Sequence, residues 1–151
     1  MTDKRDVQHR LDEAASACAK DGAQLTELRR AVLGLVLEAE GPLTAYQLLD
    51  KLKEIRRNAV PATIYRALEF LQGQRLIHRI EKLNAFVPCM EADHHHHHAA
   101  QFLICRKCGT VAEMEDHAVL HALEQAAKRQ GFHPGKAVIE VDGICAACSA
   151  A

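Results

Sequence analysis

Aromatic residues are scarce in this chain. It has no tryptophan, two tyrosines and four phenylalanines among 151 residues, 4% in all. With 48% of residues hydrophobic, a core can form, but it must be built from Leu, Ile, Val and Ala. Net charge is nearly absent as well, at −1, and by itself indicates no partner. No apolar run approaches the roughly 20 residues that span a bilayer. The opening Met1-Thr2-Asp3-Lys4-Arg5-Asp6 leads into no apolar signal segment. These absences predict a cytoplasmic protein with no membrane partner. In a reducing cytosol, six cysteines point to metal or redox work rather than structural disulfides. The length suits one ordinary domain or two small ones.

Charge is unevenly placed. Residues 44–82 carry eight Lys/Arg against four Asp/Glu, a local net of +4, whereas residues 85–151 carry five against eight, a net of −3. A basic middle and an acidic end suggest different partners for the two parts.

The few glycines and prolines punctuate helical periodicity. Val7, Leu11, Ala14, Ala15 and Cys18 are spaced as on a helix that Gly22 ends. Thr26 is an expected N-cap for a second helix with Val32, Leu33, Val36 and Leu37 as its stripe, stopped by Gly41-Pro42. Thr44 caps a third, whose apolar positions are Tyr46, Leu48, Leu49, Leu52 and Ile55. Pro61 opens a fourth, ending at Gly73. Ile64, Leu68 and Leu71 lie on one face of it, and Thr63, Tyr65, Arg66 and Glu69 mainly on the other. Residues 76–80 and 85–87 read as a hairpin turning at Leu83-Asn84. Helices in series, a short turn, a further helix and a hairpin follow the order of a winged helix-turn-helix, a DNA-binding arrangement. Any small helical domain shows amphipathic helices in series; what favours DNA here is the polar face of the fourth helix inside the basic stretch.

Beyond Cys89 the character changes. Residues 90–99 are polar and His-rich and read as a loop, followed by a strand at 102–105, a return strand at 110–113, a helix over 116–130 with Val119, Leu120, Leu123 and Ala127 inward, and a strand at 138–141. The chain holds no repeat beyond paired Cys-x-x-Cys: Cys105 with Cys108, and Cys145 with Cys148, separated by 36 residues. Two such turns supply the four thiolates of a closed tetrahedral zinc site. A dithiol redox motif would be a single pair at a helix start, whereas both pairs here border strand-like sequence. Enzymatic zinc is disfavoured. A zinc deaminase places Pro before its Cys-x-x-Cys, which neither pair has, and four thiolates leave no open coordination position. No small-molecule substrate is expected.

A second set of soft donors lies outside that site: His78, Cys89 and His94 to His98. From the residues alone, Cys89 reads equally as a small buried hydrophobe, His78 as an ordinary surface residue, and the five histidines as a tag-like run from which no single ligand can be chosen.

These pieces in this order resemble the ferric uptake regulator family of bacterial metal-responsive repressors, over nearly the whole chain. The matching segments are Leu25-Thr26-x-x-Arg29, Thr44-Ala45-Tyr46-Gln47-Leu48-Leu49, Pro61-Ala62-Thr63-Ile64-Tyr65-Arg66-Ala67-Leu68, the His-rich loop before Ile104-Cys105-x-x-Cys108-Gly109, and Gly143-Ile144-Cys145-x-x-Cys148. The chain looks most like the zinc uptake regulator branch. Cys89 stands where that branch has a thiolate ligand, and Ala100 and Phe102 stand where iron-type members commonly place His. The resemblance implies an α+β fold: a winged helix-turn-helix DNA-binding domain over 1–88, a hinge and His-rich loop over 89–98, and a small α/β dimerisation domain with the four-cysteine zinc site over 99–151. It implies two zinc ions per subunit, one structural, the other regulatory and held by His78, Cys89, His98 and Glu113. His98 lies seven residues before Cys105 and Glu113 eight after it. One thiolate, two imidazoles and a carboxylate suit zinc better than iron or manganese. An additional loop site known in some members would need a His near the last strand, where this chain has only the displaced His133 beside Pro134; His94 to His97, His117 and His121 remain spare donors.

The expected function is zinc-dependent repression through homodimeric binding to double-stranded operator DNA. Arg66 is expected to read a guanine, Tyr65 to pack on a thymine methyl or phosphate, and Tyr46 and Thr63 to touch backbone or base. The alternatives are an iron, manganese or peroxide sensor of the same fold, or a zinc-storage or delivery protein using the His run.

Overall fold

Threonine and aspartate side chains begin most of the helices. In the computed structural model, which describes residues 3–90 and 99–150, Asp3 caps α1 (Lys4–Lys20), Thr26 caps α2 (Glu27–Glu38) and Thr44 caps α3 (Ala45–Ile55). At Thr44 the cap is reciprocal: the Gln47 N–H donates to Thr44 Oγ1 at 3.2 Å and the Thr44 N–H to Gln47 Oε1 at 2.9 Å. Pro61 is the first residue of α4 (Pro61–Gly73), where its missing N–H costs nothing. The end of α4 is closed by bonds from Leu76 N–H to Leu71 C=O and from Arg75 N–H to Gln72 C=O, each 2.9 Å, with Arg75 at φ 58°.

The chain divides into two compact units, Met1–His94 and His95–Ala151. In the first, the helices pack around Val32, Leu33, Val36, Leu48, Leu52, Ile64, Leu68 and Leu71, all at most 2% exposed. Cys18 joins this core from α1. Strands β2 (Ile77–Ile80) and β3 (Ala85–Pro88) form the hairpin, with Asn84 at φ 47° in its turn. A two-residue strand, β1 (Leu43–Thr44), pairs antiparallel with β3 and completes a sheet of order β1-β3-β2. Two residues carry no detectable alternation, so the sequence did not announce β1. The periodicity at Tyr46 and Ile55 is not core: they are 70% and 64% exposed.

The second unit contains β4 (Ala100–Cys105), β5 (Val111–Met114), α5 (His117–Arg129), β6 (Val138–Gly143) and a short α6 (Ala146–Ser149). Its sheet has the order β5-β4-β6, with β4 antiparallel to β5 and parallel to β6. The expected inward stripe of α5 differs from the structure: none of the helix is buried, and Val119 and Leu123 are 37% and 42% exposed. The spacing correctly marks an amphipathic helix, but no element among the described residues of this unit buries that face.

Candidate metal centre and nucleic-acid interface

The thiol cluster is built where strands β4 and β6 end side by side. Cys105 is the last residue of β4 and is paired with Gly143, and Arg106 N–H donates to the Gly143 carbonyl at 3.0 Å. The chain then turns through Cys108 to Gly109, whose N–H reaches the Cys105 carbonyl at 2.9 Å. Gly109 holds φ +76°, a left-handed conformation that favours glycine. After β6, Cys145 begins α6, which carries Cys148.

All four sulfurs lie within 4.8 Å of one another, and Cys108 Sγ is 3.7 Å from Cys145 Sγ. A tetrahedron with metal–sulfur bonds of about 2.3 Å has edges of about 3.8 Å, so the spacing fits zinc. The Cys145 N–H points at Cys105 Sγ over 3.4 Å. That donor, with the N–H groups of Cys108 and Lys107, pulls the Cys105 thiol down to about 6. Cys108 is also lowered, first by the Thr110 hydroxyl, which lies 3.1 Å from its sulfur. Cys148 is pushed up to about 12 by the adjacent Cys145 and Cys108 thiols. A cluster that stabilises some thiolates and opposes a further one lacks positive charge, which a divalent cation supplies. Thr110 was not a sequence candidate; its place two residues after Cys108 was the available signal.

The other donors are distributed as follows. In the first unit, His78 lies on β2 opposite Val87 of β3, and Cys89 follows β3 with its N–H bonded to the Leu76 carbonyl at 3.0 Å. A His78 ring nitrogen and Cys89 Sγ come within 4.8 Å of each other. In the second unit, Glu113 is half-buried on β5 opposite Phe102. His98 and the rest of the run His94 to His97 lie outside the described residues. His117 and His121 are exposed on α5, and His133 follows that helix.

In the first unit, α4 buries Ile64, Ala67, Leu68 and Leu71 and exposes Ala62, Tyr65, Arg66 and Glu69. The second set recurs at intervals of three and four and forms one solvent-facing stripe. Tyr65 is 51% exposed, so it is not a core residue. Thr63 faces the start of the helix, where its Oγ1 accepts the Val60 N–H at 3.4 Å. Tyr46 stands exposed on the first turn of α3.

Helix α4 packed on α2 and α3, followed by a wing and then by a separate unit with a four-thiol cluster, defines a winged-helix protein with a metal-binding domain. The ferric uptake regulator family model matches residues 20–142, and the chain belongs to that family. It is 39% identical over 146 residues to the zinc uptake regulation protein of Escherichia coli strain K12, covering 97% of this chain and 85% of the relative. It is 31% identical over 127 residues to that of Mycobacterium tuberculosis strain H37Rv, covering 84% and 95%. A solved zinc uptake regulator complexed with zinc and DNA superposes with a TM-score of 0.90 at 38% identity, over 95% of each chain.

Proposed function

We propose that this chain is a cytoplasmic zinc-responsive transcriptional repressor that binds double-stranded operator DNA as a homodimer and catalyses no reaction. The observation that carries this reading is the coexistence in the first unit of an exposed polar stripe on α4 and the His78–Cys89 donor pair at the wing. A DNA-reading face and a thiolate–imidazole pair on one small body suit a metal-gated DNA binder. The names of the relatives support the same reading.

Two metal positions per subunit are assigned. Cys105, Cys108, Cys145 and Cys148 hold the structural ion, and His78, Cys89, His98 and Glu113 the regulatory one. Bound there, zinc would supply compensating charge for the thiolates and a cross-link between the segments that carry its ligands. Thiolate and imidazole donors favour it over iron or manganese. His78 and Cys89 bound the wing of the DNA-binding domain (1–88), His98 closes the hinge (89–98), and Glu113 belongs to the dimerisation domain (99–151). Donors so far apart in sequence, when they share one ion, restrict how the recognition helices of a dimer are spaced. That spacing must match successive turns of DNA, about 34–36 Å. Restriction to the matching arrangement favours the DNA-competent state, and by linkage operator binding tightens the metal site by the same factor.

At the DNA, Arg66 offers a two-pronged donor to guanine O6 and N7, Tyr65 an apolar and hydroxyl surface, and Tyr46 and Thr63 flanking contacts. The uncovered apolar positions of the second unit, Leu103, Val119, Leu123, Val138 and Val141, support its role as the dimer interface. A storage protein has no use for the α4 stripe, and an iron or manganese sensor has little use for a thiolate at Cys89. The test is metal-stripped protein mixed with a random duplex pool and supplied with zinc, iron(II) or manganese(II). Selective recovery of one sequence class with zinc is expected; recovery with iron(II) or manganese(II) at lower concentrations than zinc contradicts the assignment.

A further inference from the structure

The carbonyl of Cys89 is held from a distant part of the chain. Arg10, on α1, directs Nη2 to the Cys89 carbonyl oxygen at 2.9 Å in a half-buried setting. The partners are 79 positions apart, and no motif connects them. Cys89 lies just past the end of β3, and its N–H is already bonded to the Leu76 carbonyl at 3.0 Å. Both polar groups of its backbone are therefore engaged, one by the β2 side of the wing and the other by α1. Fixing both restricts the backbone rotations at residue 89 and hence the direction of its Cα–Cβ bond, leaving one side-chain rotation to place Sγ, which comes within 4.8 Å of a His78 ring nitrogen.

The helix that carries Arg10 is itself anchored. Val7, Leu11, Ala14 and Cys18 enter the core of the first unit. Arg30 of α2 donates to the Leu11 carbonyl at 3.1 Å and pairs with Asp12. The guanidinium is thus presented from a fixed platform, and a charged donor to a half-buried carbonyl makes a stronger hydrogen bond than a neutral one.

We propose that Arg10 is a positioning residue for the sensing site: by clamping the Cys89 peptide it holds the thiolate in its metal-binding direction and thereby raises zinc affinity at that site. The proposal rests on Cys89 being a ligand of the regulatory metal. Partners that orient a ligand commonly contribute 10–100-fold in metal affinity, and a bond to the ligand's backbone rather than to its donor atom belongs at the lower end, about tenfold.

The experiment uses the full-length protein carrying one equivalent of zinc, titrated with cobalt(II) and, separately, with zinc against a chelator. The sulfur-to-cobalt charge-transfer band reports the thiolate at the second site. Arg10→Ala is expected to weaken second-site binding about tenfold and to shift or diminish that band. Arg10→Lys, which keeps a cationic donor, is expected to recover part of both. Asp12→Asn removes one of the several contacts that dock this helix and leaves the Arg10–Cys89 bond in place, so it is expected to weaken second-site binding much less than Arg10→Ala. Parent-like affinity and band in Arg10→Ala, with the band lost in Cys89→Ser, would overturn the proposal while leaving Cys89 as a ligand. Equal weakening in Asp12→Asn would also overturn it, as general loss of helix docking. Retention of the full band in Cys89→Ser would instead remove the reading on which it depends.

Discussion

Replacement of Cys105 by serine tests what holds the second unit together. Among its described residues this unit buries few large side chains. Phe102 and Ile104 are at most 3% exposed, joined by Ala99, Ala100, Gln101 and Cys105, and α5 contributes no buried residue. Burying two such side chains contributes roughly 3–6 kcal/mol at about 1.5–3 kcal/mol each. A structural four-ligand zinc contributes apparent values of about 10–16 kcal/mol in small peptides. The metal term therefore exceeds the apolar one, and loss of one ligand should unfold the second unit while the first, with its own core around Leu48, Leu52, Leu68 and Leu71, stays folded. Hydrogen exchange read by mass spectrometry resolves this. In Cys105→Ser, amides of β4 and β6 should lose protection, and those of α2 and α4 should keep it. Parent-like protection of β4 and β6 in the variant would refute the reasoning, because packing alone would then sustain the unit.

Further outcomes follow from the same geometry. Arg66→Ala should cost about 1–3 kcal/mol at the operator and much less on random duplex, as measured by competition binding; an equal loss on both would make Arg66 a phosphate contact. Leu123→Asp places a charge on the uncovered face of α5 and should shift the protein from dimer to monomer in sedimentation, whereas a dimer of unchanged stability would put the interface elsewhere. At neutral pH, Cys148, pushed up to about 12, carries a proton that zinc must displace, whereas Cys105, pulled down to about 6, is already a thiolate. Affinity at the four-thiol site should thus fall as pH falls, because zinc must displace thiol protons. Affinity that does not change with pH would contradict that assignment.

Much of this molecule is written in local signals. Thr26, Thr44 and Pro61 begin helices because their side-chain chemistry acts on the next few backbone groups, so a short sequence window suffices. The thiol cluster was legible because Cys-x-x-Cys fixes two sulfurs locally and a second copy fixes the other two. What stayed hidden depends on distant or very small features. Strand β1 is too short for a period. The stripe of α5 points inward on sequence grounds because amphipathicity reveals that a face will be covered but not by which molecule. The Arg10–Cys89 bond joins residues at opposite ends of the first unit, and arginine at a half-exposed helix position carries no distinguishing pattern.

The central claim, metal-gated DNA binding through Cys89, is tested most directly by fluorescence anisotropy on a labelled operator duplex as free zinc is raised, with the parent protein and Cys89→Ser side by side. The account predicts that the parent binds steeply over a narrow range of free zinc and that Cys89→Ser, with its four-thiol site intact, stays unbound throughout that range. Equal operator affinity in the two proteins, or parent binding that does not change with zinc, would contradict it.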